Sequence, residues 1–181
     1  MGLLACRAPL AIWLAAVLMT TPGNSESQAA GEYEIKAAFL YKFFSFVQWQ
    51  DDKGGASECI GIIGRDPFGV HLDEAVKGRT VNGRRLVVVR SKNSQDLGPC
   101  RIVFISSSEQ KDLASILRKL PPDVLTVGDM PEFCERGGIV ALELSEQRVR
   151  IRINLEAAQR GRLQVSSRLL SVAKVVAGAI Q

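Results

Sequence analysis

Apolar residues recur along the chain at two spacings, and the switches between them mark out its elements. From Glu32 to Phe46, the residues Ile35, Phe39, Lys42, Phe43 and Phe46 fall near one face at three- and four-residue intervals, which predicts a helix. Cys59 to Gly64 (CIGIIG) is a short apolar run that reads as a buried strand. Asp66 followed by Pro67 has the form of a helix start, with a capping carboxylate and a proline at the first helical position, and Gly78 stops that helix after Lys77. Arg85 to Arg90 (RLVVVR) and Arg101 to Ser106 (RIVFIS) are further strands. Ser106 with Glu109 has the spacing of a capping box, and the helix it opens runs to about Leu120, before Pro121-Pro122. Val124 to Val127 is a fourth strand, and Asp129 with Glu132 marks another helix start that Gly137-Gly138 ends. Ile139 to Leu144 and Arg148 to Asn154 lie close enough for a hairpin. Ser166 or Ser167 caps a last helix carrying Leu169, Leu170, Ala173 and Val176 at core spacing.

Strands alternating with helices predict a single α/β domain: a mixed, mostly parallel sheet flanked by helices, with a C-terminal antiparallel hairpin. The runs CIGIIG, RIVFIS and VLTV are apolar throughout, as strands covered on both faces are. In the last strand Arg148, Arg150, Arg152 and Asn154 alternate with Val149, Ile151 and Ile153, the pattern of a half-exposed strand near an edge.

Ahead of this domain, Leu10 to Met19 is an uncharged apolar run preceded by Arg7 and followed by small and polar residues. It is too short to span a bilayer, for which a helix needs roughly 20 residues. It suits a cleavable secretion signal over residues 1–30, with Ser27-Gln28-Ala29 or Gln28-Ala29-Ala30 at the cleavage site and residues 31–181 as the mature domain. A retained anchor is the other reading. Leu3-Leu4-Ala5-Cys6 precedes the apolar run instead of following it, so it is not a lipidation box. The expected compartment is the periplasm.

Export gives the cysteines meaning. Cys6 leaves with the signal, and Cys59, Cys100 and Cys134 remain. Cys59 and Cys100 each stand immediately before a buried apolar strand core. If those strands are parallel neighbours, the residues lie about 4.8 Å apart across the sheet, within disulfide reach. The bond would close a loop of about 40 residues and add roughly 3–4 kcal/mol through loop-closure entropy. Cys134 is left over, buried or available for pairing between molecules.

Catalytic patterns are missing. The lone histidine, His71, has no partner set, no G-x-S-x-G elbow or phosphate loop occurs, and no His/Cys cluster has metal-ligand spacing. No catalytic residue, metal or cofactor is expected. A net charge of +4 with scattered Lys and Arg argues against nucleic acid, which needs a clustered basic face. Asp51-Asp52 and Gly54-Gly55 read as a loop. One small-molecule site is conceivable at the carboxyl ends of the strands, where Arg65, Asp66, Ser107 and Asp129 fall and where Arg65 beside helix N-termini would favour an anion. The plainer reading of Asp66 and Asp129 is helix capping. Two features suit a protein partner. Seven of the eleven aromatic residues lie between Tyr33 and Trp49, and Tyr41 and Phe44 fall off the main stripe. The Arg148, Arg150, Arg152 row, with Asn154 beside it and Arg168 less firmly, is a basic strand face able to anchor an acidic partner.

The blocks FLYKFFSFVQW (Phe39 to Trp49), IGIIGRDPFG (Ile60 to Gly69), CRIVFIS (Cys100 to Ser106), VLTVGDMPEFCERGG (Val124 to Gly138), VRIRINLEAAQ (Val149 to Gln159) and SSRLLSVAK (Ser166 to Lys174) together resemble, in order and spacing, the YfiR family of periplasmic proteins. The resemblance covers nearly all of the mature chain. It implies a non-enzymatic periplasmic regulator that binds and represses an inner-membrane diguanylate cyclase through its periplasmic part, keeping cyclic-di-GMP low. It also implies an outer-membrane lipoprotein as a sequestering partner, a tendency to form homodimers, and a cystine at Cys59 and Cys100. Some relatives carry a second close pair; Cys134 matches one member, but the place of the other, near Ala141, holds no cysteine. Gln50 stands where proline often follows the tryptophan of the first block. The alternative function is a small-ligand sensor using the strand-end pocket.

Overall fold

The computed structural model describes residues 24–50 and 56–177. The apolar run 10–19, Arg7, Cys6 and the polar stretch with Asp51-Asp52 and Gly54-Gly55 lie outside the described residues. In chain order the elements are α1 (Asn24–Phe46), β1 (Val47–Trp49), β2 (Ser57–Ile63), α2 (Val70–Val76), β3 (Thr80–Val81), β4 (Arg84–Ser91), β5 (Ile102–Ile105), α3 (Leu113–Lys119), β6 (Leu125–Gly128), β7 (Val140–Ser145), β8 (Arg148–Asn154), α4 (Leu155–Arg160), β9 (Leu163–Val165), α5 (Ser167–Leu170) and β10 (Lys174–Val176).

The strands with no polar face stand at the centre, because only there are both faces covered. β2, β5 and β6 are parallel neighbours in a sheet ordered β10-β8-β7-β6-β5-β2-β4-β3. Alternate residues feed two cores. Ile60, Ile62, Ile102, Phe104, Leu125 and Val127 face α1 and α2, whereas Ile63, Val103 and Ile105 face α3 and the Phe133 turn. β7 runs parallel to β6, and β8 returns antiparallel through a tight turn at Glu146 and Gln147, both at positive φ, giving the expected hairpin. β10 then lies parallel to β8 along Arg152 to Asn154 only. β1 and β9 form a separate antiparallel pair. Among the described residues no helix is long and apolar enough to cross a membrane.

Several element boundaries differ from the sequence expectation, each for a local reason. α1 begins at Asn24 and so runs through Ser27 to Ala30. Its buried face is Lys36, Ala37, Leu40 and Phe43, while Ile35 is 48% exposed and Lys42 is in solvent. The core stripe is therefore rotated by one residue, and a lysine occupies one of its positions. Asp66 does cap, but it caps a turn: its Oδ1 accepts from the backbone N–H of Phe68 (2.7 Å) and Gly69 (3.4 Å). Gly69 at φ 51° then separates that turn from α2, which starts at Val70. Ser106 likewise caps a 3-10 turn, since its own N–H bonds Ile63 across the sheet and Glu109 instead accepts from the Ser108 hydroxyl (2.8 Å); the helix starts only at Leu113. After β6, Glu132 at φ 57° stops a regular helix, and a single turn closes from Glu132 to Gly138. The last helix ends at Leu170. Val175 and Val176 are β-branched, and the outer edge of β8 satisfies their backbone as a strand.

Candidate functional site

The hairpin register sets the arginine row. Glu143 pairs with Arg150, Leu144 with Val149 and Ser145 with Arg148, so the arginines share one sheet face while Ile151 and Ile153 are buried on the other. Arg148 is exposed at the hairpin tip. The Arg150 side chain is 54% exposed, with Glu146 at 3.6 Å. Arg152 differs: its side chain is 20% exposed and its guanidinium is gripped by Glu143 at 2.7 Å and by Glu135. The Glu143 hydrogen bond, reinforced by Glu135, holds its pKa above the ordinary arginine value against the opposing effect of burial. Asn154 is fully buried and not a surface residue. Its Oδ1 caps α4 by accepting from the Ala157 N–H (2.9 Å), and its Nδ2 donates to the Cys134 carbonyl (2.8 Å). The strand geometry therefore leaves Arg148 and Arg150 exposed, ties Arg152 internally and buries Asn154.

Beside this row runs a groove of about 600 Å³, between Glu143, Ser145, Arg150, Ile151 and Arg152 on one side and Ser171 to Lys174 on the other. Val172 (70% exposed) lines it. Val175 on β10 (50%) and Leu144 on β7 (43%) are also exposed, and Leu144 lines the strand-end cleft. Arg168 is exposed on α5. Tyr41 and Phe44 are half-buried and committed to packing: Arg79 lies over the Tyr41 ring at 4.9 Å, and Phe44 meets Trp49 at 5.7 Å.

The strand-end cleft exists, with a different lining from the expected one. It has a volume of about 530 Å³ and contains Ser107 and Asp129, together with Glu32, Tyr33, Lys36, Glu132, Glu143 and Arg152. Arg65 and Asp66 do not line it. Arg65 is exposed, its N–H donating to Ser108, and Asp66 is bound by Arg90 at 2.6 Å. Nor is Asp129 a helix cap. Its Oδ2 accepts from the Tyr33 hydroxyl (2.8 Å) and from Lys36 Nζ (3.0 Å), and Lys36 in turn pairs with Glu32 (2.5 Å). Burial first, then the neighbouring Asp129 carboxylate, pushes the Tyr33 phenol well up from its usual value. Asp129 Oδ1 has no hydrogen-bond partner among the described residues. Carboxylates outnumber cations in the lining, so the cleft does not suit the anion that Arg65 suggested. Lys36 escapes a reading based on apolar spacing; the Glu32-Lys36 pair at i, i+4 was its visible signal.

Cys59 and Cys100 form the expected disulfide, Cα to Cα 4.7 Å, tying β2 to the start of β5. Cys59 sits inside β2 rather than before it. Nearby Glu58 is buried between Arg101 (3.1 Å) and Arg84 (3.0 Å), and Trp49 Nε1 donates to the Asp123 carbonyl (3.0 Å). Cys134 is the third cysteine, buried and free, its thiol against the carbonyls of Arg152 (3.5 Å) and Ile139 (3.6 Å). Burial pushes its pKa up to about 12, even though the backbone of Ala141 and Asn154 approaches the sulfur. His71 lies half-buried on α2, away from the cleft lining. Among the described residues no group of His, Cys, Asp and Glu has an arrangement that could hold a metal ion.

A family model described as YfiR/HmsC-like matches residues 33–174. No curated protein matches the chain. Two solved structures are similar to it: a conserved domain protein from Vibrio cholerae O1 biovar El Tor (12% identity, TM-score 0.53, covering 79% of this chain and 59% of that one), and the ABC domain in complex with L-Trp from Streptococcus pneumonia (7% identity, TM-score 0.52, covering 77% and 60%). At these identities the likeness is one of α/β fold, and the chain spans less than two thirds of either structure.

Proposed function

From the premise that this chain belongs to the YfiR/HmsC-like family, whose members are periplasmic regulators, we propose that it binds and represses an inner-membrane signalling enzyme, a diguanylate cyclase, and so lowers cyclic-di-GMP. The observation that carries this reading is the family match over residues 33–174, which runs from the middle of α1 to the start of β10. The protein acts by contact and not by chemistry, and Arg148 and Arg150 are the cations best placed for that contact. Residues 1–30 deliver it to the periplasm, where the Cys59–Cys100 bond persists. An outer-membrane lipoprotein that sequesters it and a homodimeric state belong to the same proposal.

The test is cyclic-di-GMP in the host with the gene deleted, then restored with and without residues 1–30. A rise on deletion that only the exported form reverses supports the repressor. An unchanged level removes the cyclase.

A second reading, a small-ligand sensor, is favoured by the strand-end cleft. Glu32, Asp129, Glu132 and Glu143 outnumber Lys36 and Arg152 there, so the ligand would carry an ammonium or similar donor. Titrating the protein with putrescine should then raise its melting temperature saturably, while phosphate should not; equal responses would discard the sensor.

A further inference from the structure

The two edges of the main sheet are not closed alike. β3 covers one end with two residues. At the other, β10 pairs only with Arg152, Ile153 and Asn154, and Arg148 to Ile151 of β8 have a strand neighbour on the β7 side alone among the described residues. Every second residue of such a stretch turns its N–H and C=O outward, a template for another strand. The groove of about 600 Å³ lies along this stretch. The two faces of the sheet differ in chemistry along this edge. On the arginine face stand Arg148 and Arg150, with exposed Lys174 on β10; on the opposite face are Val149 and Leu144, with Val175 on β10.

We infer that the outer edge of β8 from Arg148 to Ile151 receives an extended segment of a partner protein as an added strand, one whose residues alternate acidic and apolar. The alternation follows from the pleat: successive side chains of an added strand fall on opposite faces, acidic ones beside Arg148 and Arg150, apolar ones beside Val149 and Leu144. A second copy of this chain fits poorly. Antiparallel pairing of two β8 edges would set arginine against arginine across the new ladder, and directly opposed like charges destabilise a sheet. Arg152 takes no direct part, since Glu143 and Glu135 already neutralise it. This inference rests on the reading that the protein acts by binding another protein, and it specifies the edge and the chemistry of that contact.

The test uses the protein purified from its host and a fluorescein-labelled peptide of alternating glutamate and valine, read by fluorescence anisotropy. Two further peptides of the same sequence carry N-methyl groups on their odd or on their even residues. Strand addition predicts that one N-methylated peptide loses about tenfold or more in affinity while the other binds like the parent, because only alternate residues bond to the edge. The variant Arg150→Glu should weaken the parent peptide by about tenfold with its melting temperature unchanged, and a lysine–valine peptide should not bind. If both N-methylated peptides match the parent, or if no glutamate–valine peptide binds, the inference falls. If sedimentation shows a dimer that Arg150→Glu dissociates and the peptide does not displace it, the occupant is a second copy and the inference is equally overturned. Restoring the deletion host with Arg150→Glu separates the two readings. Repression of cyclic-di-GMP that survives this change leaves the function standing and discards the edge. Peptide binding as described, with no cyclic-di-GMP effect of deletion, does the reverse.

Discussion

Lys36 occupies a core position of α1 with 2% of its surface exposed, and only its two carboxylates make that tolerable. Replacing it with alanine leaves Asp129 buried without its cation, a change that costs about 3–5 kcal/mol. Thermal or urea unfolding of Lys36→Ala should show that loss, and the double change Lys36→Met with Asp129→Leu should recover part of it, because the most buried pair leaves together while the more exposed Glu32 keeps access to water. Cys134 gives a prediction in pH. Its folded pKa of about 12 lies above the ordinary thiol value of 9.0, so folding opposes the thiolate. The sign follows: its contribution is intact below about pH 9 and is lost as pH rises towards about 12. Cys134→Ala should lose less stability than the parent across that interval, and a thiol reagent at pH 8 should leave native Cys134 unlabelled. The sequence shows such residues unevenly. The capping power of Asp66, Ser106 and Ser166 is a property of a short side chain near its own backbone and was readable. What each cap opens depends on the residues after it and on distant partners such as Arg90 for Asp66, and that was not.

At the scale of elements, legibility follows length and contrast. β2, β5 and β6 announce themselves by apolar runs, and the β7–β8 hairpin by its alternation. β1, β9 and β10 are three residues each and carry no period long enough to tell a strand from a helical turn. Their pairing is decided by open backbone elsewhere in the fold. The Phe133 turn is similar: no local signal shows that its ring lies between Gly128 and Gly138. A Cβ on Gly138 would stand 2.2 Å from that ring, and one on Gly128 2.6 Å. Gly138→Ala should therefore overpack the second core and cost about 1–3 kcal/mol, measured as a drop in urea midpoint with an unchanged slope.

For the whole molecule the cystine is the main covalent restraint. It joins adjacent parallel strands across 41 residues of chain. Loop-closure entropy makes it worth about 4 kcal/mol, or roughly 10 °C in melting temperature for a domain of this size. Cys59→Ala with Cys100→Ala should melt lower by about that amount, as should the protein produced without residues 1–30 in a reducing compartment. This restraint was legible because parallel neighbours at the sheet centre follow from the apolar runs and bring the two sulfurs to one end. The arrangement of the arginine face was only half legible: the alternation of Arg148, Arg150 and Arg152 showed a face, but only the cross-strand register shows which of them is already engaged.

The brevity of β10 has a kinetic consequence. It leaves four residues of β8 as track before the chain closes over the edge. A contact confined to so short a footprint covers little area, and affinity among related complexes is set mostly by how fast they come apart. A grip of this kind lets go quickly, so occupancy follows the local concentration of the partner almost without memory, as a signal that must be cancelled as readily as it is given requires.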